Sequence, residues 1–413
     1  MSTTTESRFS MGQGIRLIDD AGNEYLDGVS GTFNLSLGYN HPYVVEKIQE
    51  QVGNLTHMSS SFTEPYVEEV LSLLLEEAPN GIDAGWMRDI TGSTANECAT
   101  KIAQKYTGER DIVSLYYSHH GQTQFATGIS GNAFRRKGFP NSTVPNSLHV
   151  PVPYCYRCPF QSDPDHCAMQ CIEALSDQLE FGGSGSTACM IIEPILGNGG
   201  NIIPPMEYFK QLRKLCDEHN MILIADEVQT GIGRTGYMYA STLFDIKPDI
   251  ITLAKGLGGI GVPVAAVLMQ SRLNILEKHE HSFTSGSNMI SLTAARSTME
   301  VVSAPGFLES VRSKGELLGN LLSPLAELYP DTIGEARGVG LMWGLEIVDA
   351  DGAPDSRKAN AIIDMAFRDE NLILRGSRYG FGNVVKVRPS LTVTEDEIVE
   401  IVGRLERILQ KMG

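Results

Sequence analysis

The 413-residue chain contains no run approaching the about 18 uninterrupted apolar residues of a membrane span, so no membrane partner is expected. Basic residues are scarce. Lys and Arg number 33 against 50 Asp and Glu, the net charge at pH 7 is −17, and there is no long basic run. Such a chain lacks the phosphate-contacting cations of a nucleic-acid binder. Its charge suits solubility and draws cationic small molecules. Cysteine is sparse as well: seven residues, an odd number, exclude a disulfide scaffold and imply reduced thiols. The segment Met1–Phe9 is polar and lacks the apolar core of a secretory signal, so the expected location is cytoplasmic. Internal repeats, low-complexity tracts and a GxxxxGK[ST] phosphate loop are all absent.

What remains is an ordinary globular composition, 42% apolar and 20% charged, with length for two or three domains at roughly 150 residues each. The middle of the chain alternates buried strands with helices. Cys189–Ile195, Met221–Glu227, Asp249–Lys255 and Val264–Met269 read as strands, and Glu207–His219 has helical apolar spacing. Continuous apolar strands separated by helices predict an α/β fold with a mostly parallel central sheet. In such sheets ligands bind at the carboxyl ends of the strands, and here those ends carry Glu193, Asp226 and Lys255. The last third differs: a strand at Val339–Val348, a helix at Ser356–Asp369, a short strand at Val384–Arg388 and a closing helix at Glu395–Met412 predict a smaller α+β domain. An early hairpin around Asp20–Asn23 is expected to join it.

Two glycine patterns, Gly231–Gly236 and Gly256–Gly261, match GxGxxG, but neither opens directly into a helix, which argues against a dinucleotide site. Gly92-Ser93-Thr94 before a helix forms a ready phosphate cup, or a simple N-cap. Lys255, ending an apolar strand before glycines, suits a desolvated amine nucleophile, or an exposed strand-end lysine. Asp226 can pair with a pyridinium N–H, or cap a turn. Phosphate cup, Schiff-base lysine and pyridinium carboxylate together are what pyridoxal 5'-phosphate requires.

The run Asp226-Glu-Val-Gln-Thr-Gly-Ile-Gly-Arg-Thr-Gly236 and then Pro248-Asp-Ile-Ile-Thr-Leu-Ala-Lys-Gly-Leu-Gly-Gly259 resembles the signature of class III aminotransferases, fold-type I pyridoxal-phosphate enzymes. Asn34–Pro42, Ile191–Ile195, Thr284–Asn288 and Val387–Leu391 resemble further blocks, so the similarity spans nearly the whole chain. The resemblance implies an N-terminal segment (1–44) joining the small domain, a large cofactor-binding domain (45–285) and a small C-terminal domain (286–413). It implies that Lys255 holds the cofactor as a Schiff base and shuttles the proton. Asp226 would hold the pyridinium, Gln229 the ring 3′ oxygen, and Val228 one ring face. Gly92, Ser93 and Thr94 would bind the phosphate with Thr284 from the partner subunit, which implies a homodimer. Glu193 would lie near ring and substrate. Either Lys386 or Arg388, on one face of a strand, would take a substrate carboxylate, or both are surface charges.

Three departures bear on substrate. Thr94 stands where the family usually has an acid. His119 stands at the ring-stacking aromatic position beside His120, and an imidazole can also titrate. Asn198 replaces a glutamate that neutralises the carboxylate-binding arginine. The expected reaction is transfer of an amino group from a donor, taken as L-glutamate, to a carbonyl acceptor. The acidic composition and the loop Pro153–Cys158, which resembles aminotransferases of aminoglycoside antibiotic biosynthesis, suggest an oxidised amino sugar or a diamine as acceptor. The rival reading is a racemase or epimerase using the same lysine, with His119 or a cysteine as second acid; a decarboxylase or aminomutase is a weaker variant. Outside catalysis, a protein that kept the fold without the activity, or a zinc-stabilised binding protein, remain as alternatives. The zinc reading rests on Cys155-x2-Cys158 and Cys167-x3-Cys171. The eight residues between the pairs are fewer than in common zinc ribbons, so these are read as thiols of a surface loop and no metal is assigned.

Overall fold

The computed structural model describes residues 8–138 and 147–412. Residues 1–7, 139–146 and 413, which fall in the three proposed segments, lie outside them. A seven-stranded sheet forms the centre, in the order Ala84–Asp89, Ala265–Met269, Ile250–Leu253, Ile222–Asp226, Thr187–Ile192, Asp111–Leu115, Ser147–Val150. The five strands from Ile250–Leu253 onward are parallel. Ala265–Met269 runs antiparallel to both of its neighbours, a reversal that its continuous apolar letters did not show. Every residue of Ile222–Asp226 and Ala265–Met269 is buried, as expected for strands covered on both faces.

Two four-stranded sheets flank the centre. The N-terminal hairpin Arg16–Asp19 with Glu24–Asp27 pairs in parallel with Leu372–Ile373 through Leu26 opposite Leu372, so the two ends of the chain share one sheet. The third sheet is Ile333–Val339, Met342–Ile347, Val384–Val387 and Arg375–Gly376. The single strand expected at Val339–Val348 is therefore the second arm of a hairpin that turns at Gly340, φ +53°. A Cβ on Gly340 would meet the Thr235 backbone at 2.5 Å, so only glycine fits this turn. Helix Met289–Val302 packs on Pro42–Asn54, on Glu64–Glu76 and on the turn after Lys255. By packing, this helix goes with the central layer, although its numbers fall within 286–413.

Candidate active site

The three strands Thr187–Ile192, Ile222–Asp226 and Ile250–Leu253 are neighbours, and Asp226 lies in register with Thr252. At about 4.8 Å between strands, their carboxyl ends bring Glu193, Asp226 and Lys255 to one place. Lys255 opens a short 3-10 turn with φ +36°, a sparsely populated conformation for a residue with a side chain. The surrounding structure holds it there. Ser36 Oγ donates to the Gly256 carbonyl at 2.6 Å, and Leu37 N to the Gly259 carbonyl at 3.1 Å. A Cβ on Gly259 would meet Thr298 Oγ1 at 2.2 Å. The expected substrate loop Asn34–Pro42 thus braces the lysine turn, while Thr32 and Phe33 just before it face the cavity.

Lys255 lines a cavity of 1020 Å³ together with His119, Asn198, Gln229 and Lys386. Among the described residues its Nζ has no hydrogen-bond partner. Burial holds its pKa below the ordinary lysine value, against the opposing charges of Asp226 and Glu193. Asp226 is 3% exposed. Its Oδ2 accepts from Asn96 Nδ2 and from His120 Nδ1, both at 2.8 Å, and its Oδ1 from Val228 N at 3.1 Å. Burial alone would raise its pKa, but the His120 bond, the charges of His120 and Lys255 and the Val228 N–H outweigh that and hold it low. The site therefore keeps an ionised carboxylate in a dry place.

At the start of helix Gly92–Thr107 the N-cap is Thr91, whose Oγ1 accepts from Thr94 N at 3.3 Å. Thr94 Oγ1 turns back to the Thr91 carbonyl at 3.0 Å. The N–H groups left facing outward are those of Gly92 and Ser93, so the cup is narrower than the three letters implied. Gly92 is required by packing: a Cβ there would meet both Val228 methyls at 2.8 Å. A Cβ on Gly121 would meet Ser93 Oγ at 2.5 Å. Thr284 is exposed in the turns before helix Met289–Val302, and no bond links it to this chain's own cup.

Arg388 and Lys386 part company. Arg388 is 1% exposed and engaged through both terminal nitrogens: Nη1 donates to Gln229 Oε1 at 2.7 Å, and Nη2 to the Gly197 carbonyl at 2.9 Å and to Asn201 Oδ1, while its buried Nε has no partner among the described residues. Its cation also lies 4.3 Å from the Phe33 ring centroid. Arg388 is thus neither a surface charge nor a cavity residue; it orients Gln229. Because a guanidinium only donates, Gln229 must present its oxygen to it and its amide N–H groups elsewhere. Lys386 is also 1% exposed, but it lines the cavity and its Nζ has no hydrogen-bond partner among the described residues. Burial, then Arg388, hold its amine well below the ordinary value.

His119 Nδ1 lies 3.3 Å from Tyr379 Oη, which itself accepts from Arg135 Nε at 2.6 Å. Tyr379 therefore donates to His119, which fixes the imidazole as its Nε2–H tautomer. Burial, then Lys255, lower its pKa to about 3. The histidine that by its letters could titrate therefore stays neutral near pH 7. Glu193, 2% exposed, accepts from His119 N at 2.8 Å and from Gly197 N at 3.1 Å. Burial, with help from Asp226, raises it to about 7. Its folded pKa exceeds the ordinary 4.5, so the native state holds this proton more tightly and stability falls as pH rises between those values. Thermal unfolding of cofactor-free Glu193→Gln across that window should show a flatter fall than the parent, and the activity profile should lose an inflection near pH 7. Equal slopes in the two proteins would refute the assignment.

Sequence reading missed Asn96, Tyr379 and Arg135, and named His120 without its partner Asp226. Asn96 carried a usable signal, a polar residue on the buried face of a helix beside Ala95 and Ala99. Its Oδ1 accepts from Thr252 Oγ1 at 2.7 Å, which fixes its amide for the His120 carbonyl and Asp226. Tyr379 carried none, because it arrives from the other sheet.

The family model for aminotransferase class-III matches residues 3–409. The chain belongs to that family. Among its relatives it is 34% identical to an acetylornithine aminotransferase of Methanopyrus kandleri, over 99% of this chain and 97% of that one. It is 32% identical to a diaminobutyrate–2-oxoglutarate aminotransferase of Rhizobium meliloti (97% and 87%), and 32% to a leucine/methionine racemase of Thermococcus litoralis (94% and 86%). An amine transaminase from an uncultivated Pseudomonas species, solved in its pyridoxal-phosphate-bound form, superposes with a TM-score of 0.89 at 29% identity, covering 100% of this chain and 97% of that one. The protein is a fold-type I enzyme dependent on pyridoxal phosphate. The residues present fit that group: a partnerless amine at Lys255, an ionised Asp226, and a side-chain-free helix start at Gly92. Among the described residues no helix is long and apolar enough to cross a membrane.

Proposed function

We propose that this class-III aminotransferase moves the amino group of L-glutamate to a carbonyl acceptor, and that a substrate carboxylate pairs with Lys386. The observation behind this is the pair of amines on one cavity, half-buried Lys255 and buried Lys386, neither of which has a hydrogen-bond partner among the described residues. The cofactor, when bound, supplies an aldehyde that takes the amino group and a ring that withdraws the electron pair left at Cα. Gly92 and Ser93 N–H would anchor its phosphate, Asp226 would keep its ring nitrogen protonated, and Gln229, aimed by Arg388, would donate to its 3′ oxygen. Val228 and His119 hold the ring faces. Lys255 Nζ would move the proton from Cα, and its burial lowers its pKa in the direction a base at that position needs. We further infer a homodimer in which Thr284 of the partner subunit completes the phosphate site; its exposure on its own chain supports this.

The acidity of the whole chain does not extend to the pocket. Its wall carries Arg135, Arg375, Arg378 and Lys386 against the single carboxylate of Asp364. A polycationic amino sugar or diamine would meet these cations, so an acceptor bearing a carboxylate or other anionic group is the better reading.

The racemase relative keeps a second reading open. His119 is a poor second acid, since it stays neutral and its Nδ1 is occupied by Tyr379. One experiment addresses both readings. L-glutamate should bleach the cofactor's visible band, with 2-oxoglutarate appearing in equal amount. Solvent deuterium entering Cα without keto product would favour racemisation. In Lys386→Met the KM for L-glutamate should rise roughly 10–100-fold, the value of a charge-assisted hydrogen bond, with the substrate-free protein no less stable. An unchanged KM would remove Lys386 from substrate binding.

A further inference from the structure

The connection from strand Ser147–Val150 to helix Gln170–Asp177 contains only two 3-10 turns, Cys155–Arg157 and Pro164–His166. Irregular segments of this length inside a compact domain need something to hold them. This one has a structural task. Tyr154 Oη and Arg157 Nε both donate to the buried Glu346 of the third sheet, and Arg157 Nη2 donates to the Gly352 carbonyl at 3.2 Å. The Arg157 guanidinium also lies 5.7 Å from the ring centroid of Phe381, two residues from Tyr379.

All four cysteines of this segment, Cys155, Cys158, Cys167 and Cys171, line one small cavity of 80 Å³, and none is in a disulfide. No charged side chain lines it; Pro, Phe160 and Met169 make up most of the rest. A set of thiols without carboxylate selects soft or borderline metals, zinc first among the abundant ones. Both pairs, Cys-x2-Cys and Cys-x3-Cys, have the spacing with which two ligands reach one ion. Cys171 sits, buried, in the first turn of helix Gln170–Asp177. Asp89, Cys98 and His281 are the one ligand-type group among the described residues whose atoms lie within 4.8 Å of one another. There Lys101 Nζ already stands 3.3 Å from His281 Nδ1.

We propose that Cys155, Cys158, Cys167 and Cys171 form a structural zinc site that fastens the segment carrying Tyr154 and Arg157, and through it the wall of the substrate cavity. Each thiol gives up its proton as a Zn–S bond forms, leaving a four-coordinate thiolate site. No three of the sulfurs lie within 4.8 Å of one another, whereas Zn–S bonds of about 2.3 Å bring them to about 3.8 Å, so binding draws the segment inward.

The holoenzyme, expressed in ordinary medium and dialysed without chelator, should contain about one zinc per chain by elemental mass spectrometry. In the native protein these four cysteines should resist alkylation until chelator and denaturant are added. Cobalt given to the zinc-stripped protein should produce the red-region bands of tetrahedral thiolate cobalt, clear of the cofactor's absorption. Cys155→Ser with Cys167→Ser should abolish both signals; if that variant does not fold, the parent protein alone decides. Zinc below about a tenth of an ion per chain, with all four cysteines alkylated in the native state, would overturn the proposal. A disulfide within the group by non-reducing peptide mapping would do the same. None of these readouts depends on transamination.

Discussion

Lys255→Ala will lose at least about 10⁴-fold of its transamination rate, because one substitution removes both the covalent hold on the cofactor and the base at Cα. The effect should fall on kcat. Gly92, Ser93, Asp226 and Gln229 remain, so the variant should still bind added cofactor, reversibly rather than permanently. Borohydride reduction followed by peptide mapping gives an independent readout. The parent should carry the cofactor on the Lys255 peptide, and the variant should carry it nowhere. Folding should survive, since Nζ makes no hydrogen bond among the described residues; alanine at φ +36° is no worse placed than lysine. Retention of more than a hundredth of the parent rate would move the base elsewhere.

Asp226→Asn will cost roughly 10²–10³-fold in kcat/KM, the scale of removing one partner from a buried ion pair. Two donors, Asn96 Nδ2 and His120 Nδ1, converge on the position of Oδ2 and will keep the amide oxygen there. The amide nitrogen must then replace Oδ1, facing Val228 N, another donor. Two donors would oppose each other, and neither could accept the proton of the cofactor's ring nitrogen. The ring would lose its protonated state and with it much of its electron-withdrawing power. The measurement is kcat/KM together with the visible spectrum against pH, where the variant's cofactor band should shift while cofactor still binds. A purely structural role for Asp226 would lower stability and leave that spectrum unmoved.

Much of the central layer was legible because its strands are buried on both faces and so appear as unbroken apolar runs. Glu207–His219 was placed within a residue of the observed Met206–Glu218, and Glu395–Met412 at its observed bounds, because amphipathic spacing continues to each helix end. The reversed direction of Ala265–Met269 was not legible, since burial on both faces leaves the same letters in either direction. The hairpin turning at Gly340 was missed because one glycine inside a strand pattern does not declare a turn; the close approach of Thr235 forces it.

Local letters also picked out residues that the fold gathers at strand ends and at a helix start, because each stands where an apolar run or a helix begins or stops: Lys255, Asp226, Glu193 and the Gly92 start. Their surroundings were a tertiary matter. Whether Lys386 or Arg388 faces the cavity depended on Gln229, Gly197 and Asn201, residues nearly 160 or more positions away in the chain, which engage the arginine and leave the lysine free. Whether His119 carries charge depended on burial and on Lys255, 136 positions away, and its tautomer on Tyr379 from the third sheet's loop. The sign of charge in the pocket is opposite to that of the whole chain, because folding gathers a few cations around one cavity while most carboxylates remain in solvent. Composition averages over that surface; a substrate meets only the wall.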